Sequence, residues 1–270
     1  MIQYDYHLHT INSHDGQSSM EEMLGQAIAL GLKGICITEH LDFYDDMPKA
    51  YTRMLDLEHY ANECKALREK YQSQIVLKFG IELTLVPKVK HRITEALEKY
   101  DFDFVIGSSH LVDDIDIGLD YGNFFQNHGD EYTYRRYLDS VYENILIFDD
   151  FDVYGHIDYI IRYGKDEPKY LDLAKYQEQI DKILLELIKR GKGIEVNTSG
   201  FKYGLGLPHP NYEILKRYKE LGGEILTIGS DAHHTKHLAL NFTEVRAKLI
   251  ELGFTKYTIF EKRKPLHIEL

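Results

Sequence analysis

Gly34-Ile35-Cys36-Ile37-Thr38-Glu39-His40 is an apolar run that stops on an imidazole. A short, largely β-branched stretch opened by glycine reads as a buried strand. The same ending recurs along the chain. Residues 4–9 close on His7-x-His9, residues 104–110 on Ser108-Ser109-His110, and residues 225–233 on Ser230-Asp231-Ala232-His233. Residues 153–158 carry His156, and two further strand ends carry Glu82 and Asn197. Strands are therefore expected near 2–9, 33–40, 75–83, 102–108, 152–157, 192–197 and 224–230.

Amphipathic helical stretches alternate with these strands. Leu57, Tyr60, Ala61, Cys64, Leu67 and Tyr71 make one stripe, and Ile180, Ile183, Leu184, Leu187 and Ile188 another. The first helix has a start signal in Ser18-x-x-Glu21 or Ser19-x-x-Glu22. Gly31, Gly191, Gly222 and Gly253 stand where helices end. Alternating βα units predict a parallel sheet with helices outside. An open sheet collects ligands at one switch point, whereas a barrel turns every strand end toward one cup. All seven strand ends carry a metal-capable or polar group, so the expected fold is α/β, a seven-stranded TIM-like barrel. Residues 257–261 and 266–270 look like a short terminal strand pair. No linker, repeat or low-complexity tract interrupts the chain, which reads as one domain over 1–270. Two long connections, 41–56 and 111–131, are expected to shape a pocket over the strand ends. Asp113-Asp114-Ile115-Asp116 in the second reads as a solvated acidic run.

The chain has 270 residues, 43% hydrophobic and 28% charged, which suits a soluble protein with a sizeable core. Its net charge of −12 is the wrong sign for a nucleic-acid footprint. No apolar stretch reaches membrane-span length and no signal pattern opens the chain, so neither a nucleic-acid nor a membrane partner is expected. A cytoplasmic location follows as the default. Cys36 and Cys64 read as buried core thiols rather than a disulfide.

Two imidazoles spaced as in His7-x-His9 lie on the same face of a strand, and Asp231-Ala232-His233 repeats that logic with mixed ligands. Gly229 before it allows a close backbone turn. A carboxylate at Glu82 can bridge two cations. Asp15 and His14 stand side by side in the first βα loop. Among the other histidines, His59 and His91 fall on outer helices, while His128, His209 and His267 read as loop or surface residues. His234 and His237 adjoin the proposed site.

The ordered set H-x-H, a downstream aspartate, T-E-H, G-I-E, S-S-H, G-H-x-D and S-D-A-H resembles the PHP (polymerase and histidinol phosphatase) metallohydrolases over almost the whole chain. Gly155-His156-Ile157-Asp158-Tyr159-Ile160-Ile161-Arg162-Tyr163 and Glu195-Val196-Asn197-Thr198-Ser199-Gly200 look like the stand-alone histidinol-phosphatases of that family. The resemblance implies a distorted (β/α)7 barrel around three divalent metal ions, with zinc, iron and manganese all known in the family. By position, His7, His9, Glu82 and Asp231 would hold the first ion. Glu82, His110 and His156 would hold the second, and Asp15, His40 and His233 the third, with His14 the alternative to Asp15.

The implied reaction is hydrolysis of L-histidinol phosphate to L-histidinol and phosphate, a step of histidine biosynthesis, by metal-activated water. Asp15, Glu82 and Asp231 offset only part of the ions' charge, leaving a positive cup for phosphate. Arg162 is the expected phosphate clamp because a guanidinium fork matches phosphate oxygens, with a surface arginine at a helix start as the competing reading. Asp42 and Asp158, each two residues past a ligand histidine, are expected to protonate the leaving group or orient an imidazole. Asn197 and His234 are expected to contact substrate. Two readings compete: a related phosphoesterase acting on nucleotides or phosphotyrosine, and a metal-binding regulatory module without catalysis. The acidic balance disfavours nucleic acid, and the full ligand set disfavours a decayed module.

Overall fold

The computed structural model describes residues 1–43, 54–120, 123–164 and 171–270. In chain order the strands are β1 (Tyr4–Asp5), β2 (Gly34–Leu41), β3 (Val76–Thr84), β4 (Phe104–Ser108), β5 (Leu111–Val112) and β6 (Ile115–Asp116). They continue as β7 (Val153–Tyr154), β8 (Gly193–Asn197), β9 (Leu226–Gly229), β10 (Lys256–Glu261) and β11 (Lys264–Glu269). The helices are α1 (Met20–Ala29), α2 (Leu57–Tyr71), α3 (Lys90–Lys99), α4 (Asn123–His128) and α5 (Asp130–Ile147). After them come α6 (Leu173–Lys189), α7 (Ser199–Lys202), α8 (Tyr212–Glu220) and α9 (Phe242–Glu251).

Seven strands pair in parallel in the order β1-β2-β3-β4-β7-β8-β9. The two ends of that row then meet. Tyr6 N–H donates to Ile228 O at 3.0 Å, Asp231 N–H to His7 O at 2.8 Å, and His9 N–H to Ala232 O at 3.0 Å. The result is a nearly closed barrel with helices outside it.

Strand β2 is buried along almost its whole length, as a strand covered on both faces must be. Helix α6 turns Tyr176, Ile180, Ile183, Leu184 and Leu187 inward. Each such side chain contributes about 1.5–3 kcal/mol by leaving water. Helix α1 uses Ser19 and Glu22 as its capping box, which settles the choice between the two start signals. It ends before Gly31, where φ is +74° and a side chain would be strained. Cys36 and Cys64 are buried and unbonded to each other. No helix among the described residues is long and apolar enough to cross a membrane.

The terminal pair β10–β11 is antiparallel, as the sequence suggested. It closes the N-terminal end of the barrel. Tyr6 donates its hydroxyl to Phe260 O at 2.8 Å, and the Phe104 and Phe260 rings lie 5.1 Å apart.

Three expectations change. β1 and β7 are two residues each, much shorter than 2–9 and 152–157. Beyond β7 the chain leaves the strand at His156, where φ is +21°. The connection 111–131 is not a plain loop: it holds the β5–β6 hairpin and α4. Of the connection 41–56, residues 44–53 lie outside the described residues.

Candidate metal centre

Six of the seven barrel strands deliver a candidate ligand at the C-terminal end. His7 and His9 follow β1, His40 is in β2, Glu82 in β3, His110 follows β4, His156 follows β7, and Asp231 and His233 follow β9. All are buried except His40 and His233, which are nearly so. Gly229 matters for packing rather than for a turn. A Cβ there would stand 2.3 Å from His7 Cβ and 2.8 Å from Glu195 Oε1.

One nitrogen of several imidazoles is tied down by the fold. His7 Nδ1 donates to Glu195 Oε1 at 2.5 Å, and His110 Nδ1 stands 2.7 Å from Thr84 Oγ1. His9 Nδ1 meets Ser13 Oγ at 3.3 Å, and His233 Nδ1 the Asp231 carbonyl at 3.0 Å. Fixing one ring nitrogen sets the tautomer and aims the other, as metal-ligating histidines require.

The aimed atoms converge. His7 Nε2 and His9 Nε2 are 3.0 Å apart, and Glu82 Oε2 lies 3.3 and 3.4 Å from them. Asp231 Oδ1 is 3.5 Å from His9 Nε2 and 3.8 Å from His7 Nε2. On the other side of Glu82, Oε1 is 2.9 Å from His156 Nε2 and 3.5 Å from His110 Nε2. Asp15 Oδ2 is 2.9 Å from His233 Nε2, and its Oδ1 is 3.7 Å from His40 Nε2. His14 instead faces Asp42, at 4.0 Å.

Four overlapping sets therefore bring ligand atoms within 4.8 Å of one another: His7/His9/Glu82, Glu82/His110/His156, His9/His40/His233 and His40/Asp42/His110. Glu82 belongs to two of them. Its Oε2, like Nδ1 of His40 and of His156, is buried without a hydrogen bond. Around that oxygen stand His40 Nδ1 at 2.9 Å and the Nε2 atoms of His7 and His9 at 3.3 and 3.4 Å, a crowding of buried ligand atoms that a cation can join. The donor set of imidazoles and carboxylates fits divalent metal ions.

Electrostatics point the same way. Burial raises the Glu82 carboxyl, but His7 and His40 overcome it and hold it well below the usual carboxylate range. Asp231 behaves alike, with burial opposed by His7, His9 and His233. Asp231 also carries φ +53°, a left-handed backbone at a non-glycine residue. Such strain persists only where surrounding structure imposes it, and it clusters at functional sites.

Above this floor is a cavity of about 420 Å³, walled in part by Asp42, Asp116, Tyr159, Arg162, Tyr163 and Tyr203. Arg162 is not a surface residue: its side chain is 5% exposed and lies between the Tyr159 and Tyr203 rings, 4.7 and 4.3 Å from their centres. Asp116 belongs to this wall and is half-buried, so the run 113–116 is not wholly solvated. Asp42 is on the wall and accepts a hydrogen bond from Thr84 Oγ1 at 2.5 Å.

Other expected residues lie behind the wall. Asp158 is fully buried and accepts from His209 Nδ1 at 2.6 Å and Asn211 N–H at 3.0 Å. It therefore orients His209 rather than His156, and does not face the cavity as a proton donor must. His209 is itself fully buried, contrary to its loop-like surroundings. Asn197 bonds to Asp231 and Ser199 rather than facing the cavity. His234 caps a short 3-10 helix by accepting from Lys236 N–H at 3.2 Å.

Sequence reasoning missed Glu39 and Glu195 as supports. Glu39 accepts from Thr10 N–H at 3.0 Å and from Ser13 Oγ at 2.5 Å, fixing the turn after β1. The available signal was a carboxylate inside each apolar run, Thr38-Glu39-His40 and Ile194-Glu195-Val196.

A parallel barrel with buried imidazoles and carboxylates meeting at its C-terminal mouth is the architecture of a metal-dependent hydrolase. The chain belongs to the PHP domain family, whose model matches residues 5–199. It is 31% identical to a histidinol-phosphatase of Lactococcus lactis over 98% of this chain and 96% of that one. It is 32% identical to a probable histidinol-phosphatase of Clostridium acetobutylicum over 96% and 97%. The crystal structure of histidinol phosphate phosphatase from Lactococcus lactis, complexed with zinc, L-histidinol and phosphate, superposes with a TM-score of 0.88 at 30% identity, covering 98% of each chain.

Proposed function

We propose that this chain is a metal-dependent phosphomonoesterase that hydrolyses L-histidinol phosphate to L-histidinol and phosphate. The observation that carries it is Glu82, a buried carboxylate shared by two imidazole sets, its Oε2 within 3.4 Å of nitrogens of His7, His9 and His40. The near full-length likeness to histidinol-phosphatases, one of them holding zinc, L-histidinol and phosphate, supports the choice of substrate.

In this reading His7, His9, Glu82 and Asp231 hold one ion, Glu82, His110 and His156 a second, and Asp15, His40 and His233 a third. The proximity of Asp15 to both His40 and His233 favours it over His14. Zinc, iron and manganese all suit these donors. Bound divalent ions supply Lewis acidity, polarising phosphate oxygens and making water acidic enough to act as a nucleophile near neutral pH. The protein's own groups do the rest. Arg162 contributes a fixed positive charge to the phosphoryl oxygens. In this reading Asp42, on the cavity wall, would take up a proton from water and pass it to the departing alkoxide. Residues 1–270 act as one catalytic unit, expected in the cytoplasm.

Steady-state kinetics on L-histidinol phosphate beside a nucleoside monophosphate, with metal analysis of the same sample, tests this. A kcat/KM favouring histidinol phosphate by about 100-fold or more is expected. Equal turnover of both would overturn the substrate, and a metal-loaded protein inert toward both would overturn the activity.

A further inference from the structure

Arg162 is held by a chain of buried groups that reaches away from the cavity. Its Nε–H donates to His209 Nε2 at 2.9 Å, and its Nη2 to Ser199 Oγ at 2.6 Å and, more weakly, to Asp231 Oδ2 at 3.5 Å. Nη1 takes no part in these bonds, and Arg162 lines the cavity. An arginine has only donors, so His209 Nε2 must be an acceptor there. His209 Nδ1 carries the proton and donates a hydrogen bond to Asp158 Oδ1 at 2.6 Å. The ring is therefore neutral, in one tautomer. Its backbone is fixed too: Asn197 and His209 exchange two hydrogen bonds of 2.7 Å across an antiparallel bridge at the end of β8.

A carboxylate in place of His209 would also grip Arg162, but it would cancel the guanidinium charge. A neutral imidazole fixes direction without adding to the partial neutralisation that Asp231 already imposes. We propose that His209, backed by Asp158, is a positioning residue that aims Arg162 Nη1 at the substrate's phosphoryl group without placing a second carboxylate directly on the guanidinium beside Asp231. This rests on the phosphomonoesterase reading above.

Two polar replacements separate the two ends of the ring. In His209→Gln the amide reaches the position of Nε2 and can accept from Arg162. In His209→Asn it reaches the position of Nδ1 and can donate to Asp158, but falls short of Arg162. These variants, Arg162→Ala and the double variant Arg162→Ala/His209→Asn are assayed on L-histidinol phosphate and p-nitrophenyl phosphate. Calorimetric affinity for inorganic phosphate is measured on the same zinc-loaded proteins.

His209→Asn is expected to lower kcat/KM and weaken phosphate binding by about 10- to 100-fold, the range for losing an orienting partner. His209→Gln should recover most of both. The double variant should be no worse than Arg162→Ala alone, because His209 acts only through Arg162. Asn and Gln variants with equal activity, or a double variant showing both losses multiplied, would overturn the proposal. Wild-type protein that turns over only p-nitrophenyl phosphate would instead retire the substrate reading. If it turns over neither ester, phosphate calorimetry on the variants still decides the role of His209.

Discussion

The two ends of this barrel close in different ways: polar groups at the N-terminal end, such as Asp152 with Arg263, are paired within the chain. At the N-terminal end, Tyr6, Phe104 and Phe260 pack under the β10–β11 pair and satisfy one another by apolar contact and a single hydroxyl bond. At the C-terminal end, imidazoles and carboxylates are buried at similar depth, and some of their polar atoms make no hydrogen bond. The first end is complete from its own side chains. The second is arranged for a cation, so its contribution to stability depends on what it binds. Stability and function are therefore separable along the barrel axis.

The strongest test of that separation is Glu82→Gln. An amide cannot serve two ions as a carboxylate does, so metal content should fall and kcat drop by about 10³-fold or more. Full metal occupancy with normal turnover would remove the bridging role. Phe260→Ala probes the other end. It should cost about 3–5 kcal/mol in denaturant unfolding while metal content and kcat at 25 °C stay near wild type. A parallel loss of metal would show that the two ends are coupled. Glu195→Gln sharpens the contrast with a smaller effect, since it leaves every proposed ligand in place. Without the carboxylate on His7 Nδ1, metal affinity should weaken by about 10- to 100-fold, read by competition with a chelator. An unchanged affinity would reduce Glu195 to a packing residue.

Much of this was legible in the sequence because strands report on themselves. Apolar runs that stop on histidine, glutamate or aspartate placed the strand ends, and alternation with helical stripes set the parallel arrangement. What was not legible depends on partners distant in sequence. His209 sits in Gly206-Leu207-Pro208-His209-Pro210, a stretch that looks like surface loop. Its burial arises from the bridge to Asn197 and the bond to Asp158, neither visible locally. Asp158 was assigned beside His156 by proximity in sequence, yet its carboxylate turns to residues about 50 positions away. Asp116 looked solvated among other acids, but the β5–β6 hairpin carries it to the cavity wall.

The closure between the segment after β1 and the segment after β9 has a consequence for biosynthesis. Asp5 and Ser230, 225 positions apart, hydrogen-bond at 2.8 Å, and the carbonyl of His7 waits for the amide of Asp231. During synthesis His7 and His9 leave the ribosome about 220 residues before the neighbours that close the ring on them. Closure of the barrel, and with it the meeting of His7 and His9 with Asp231, therefore waits until the segment after β9 has been made.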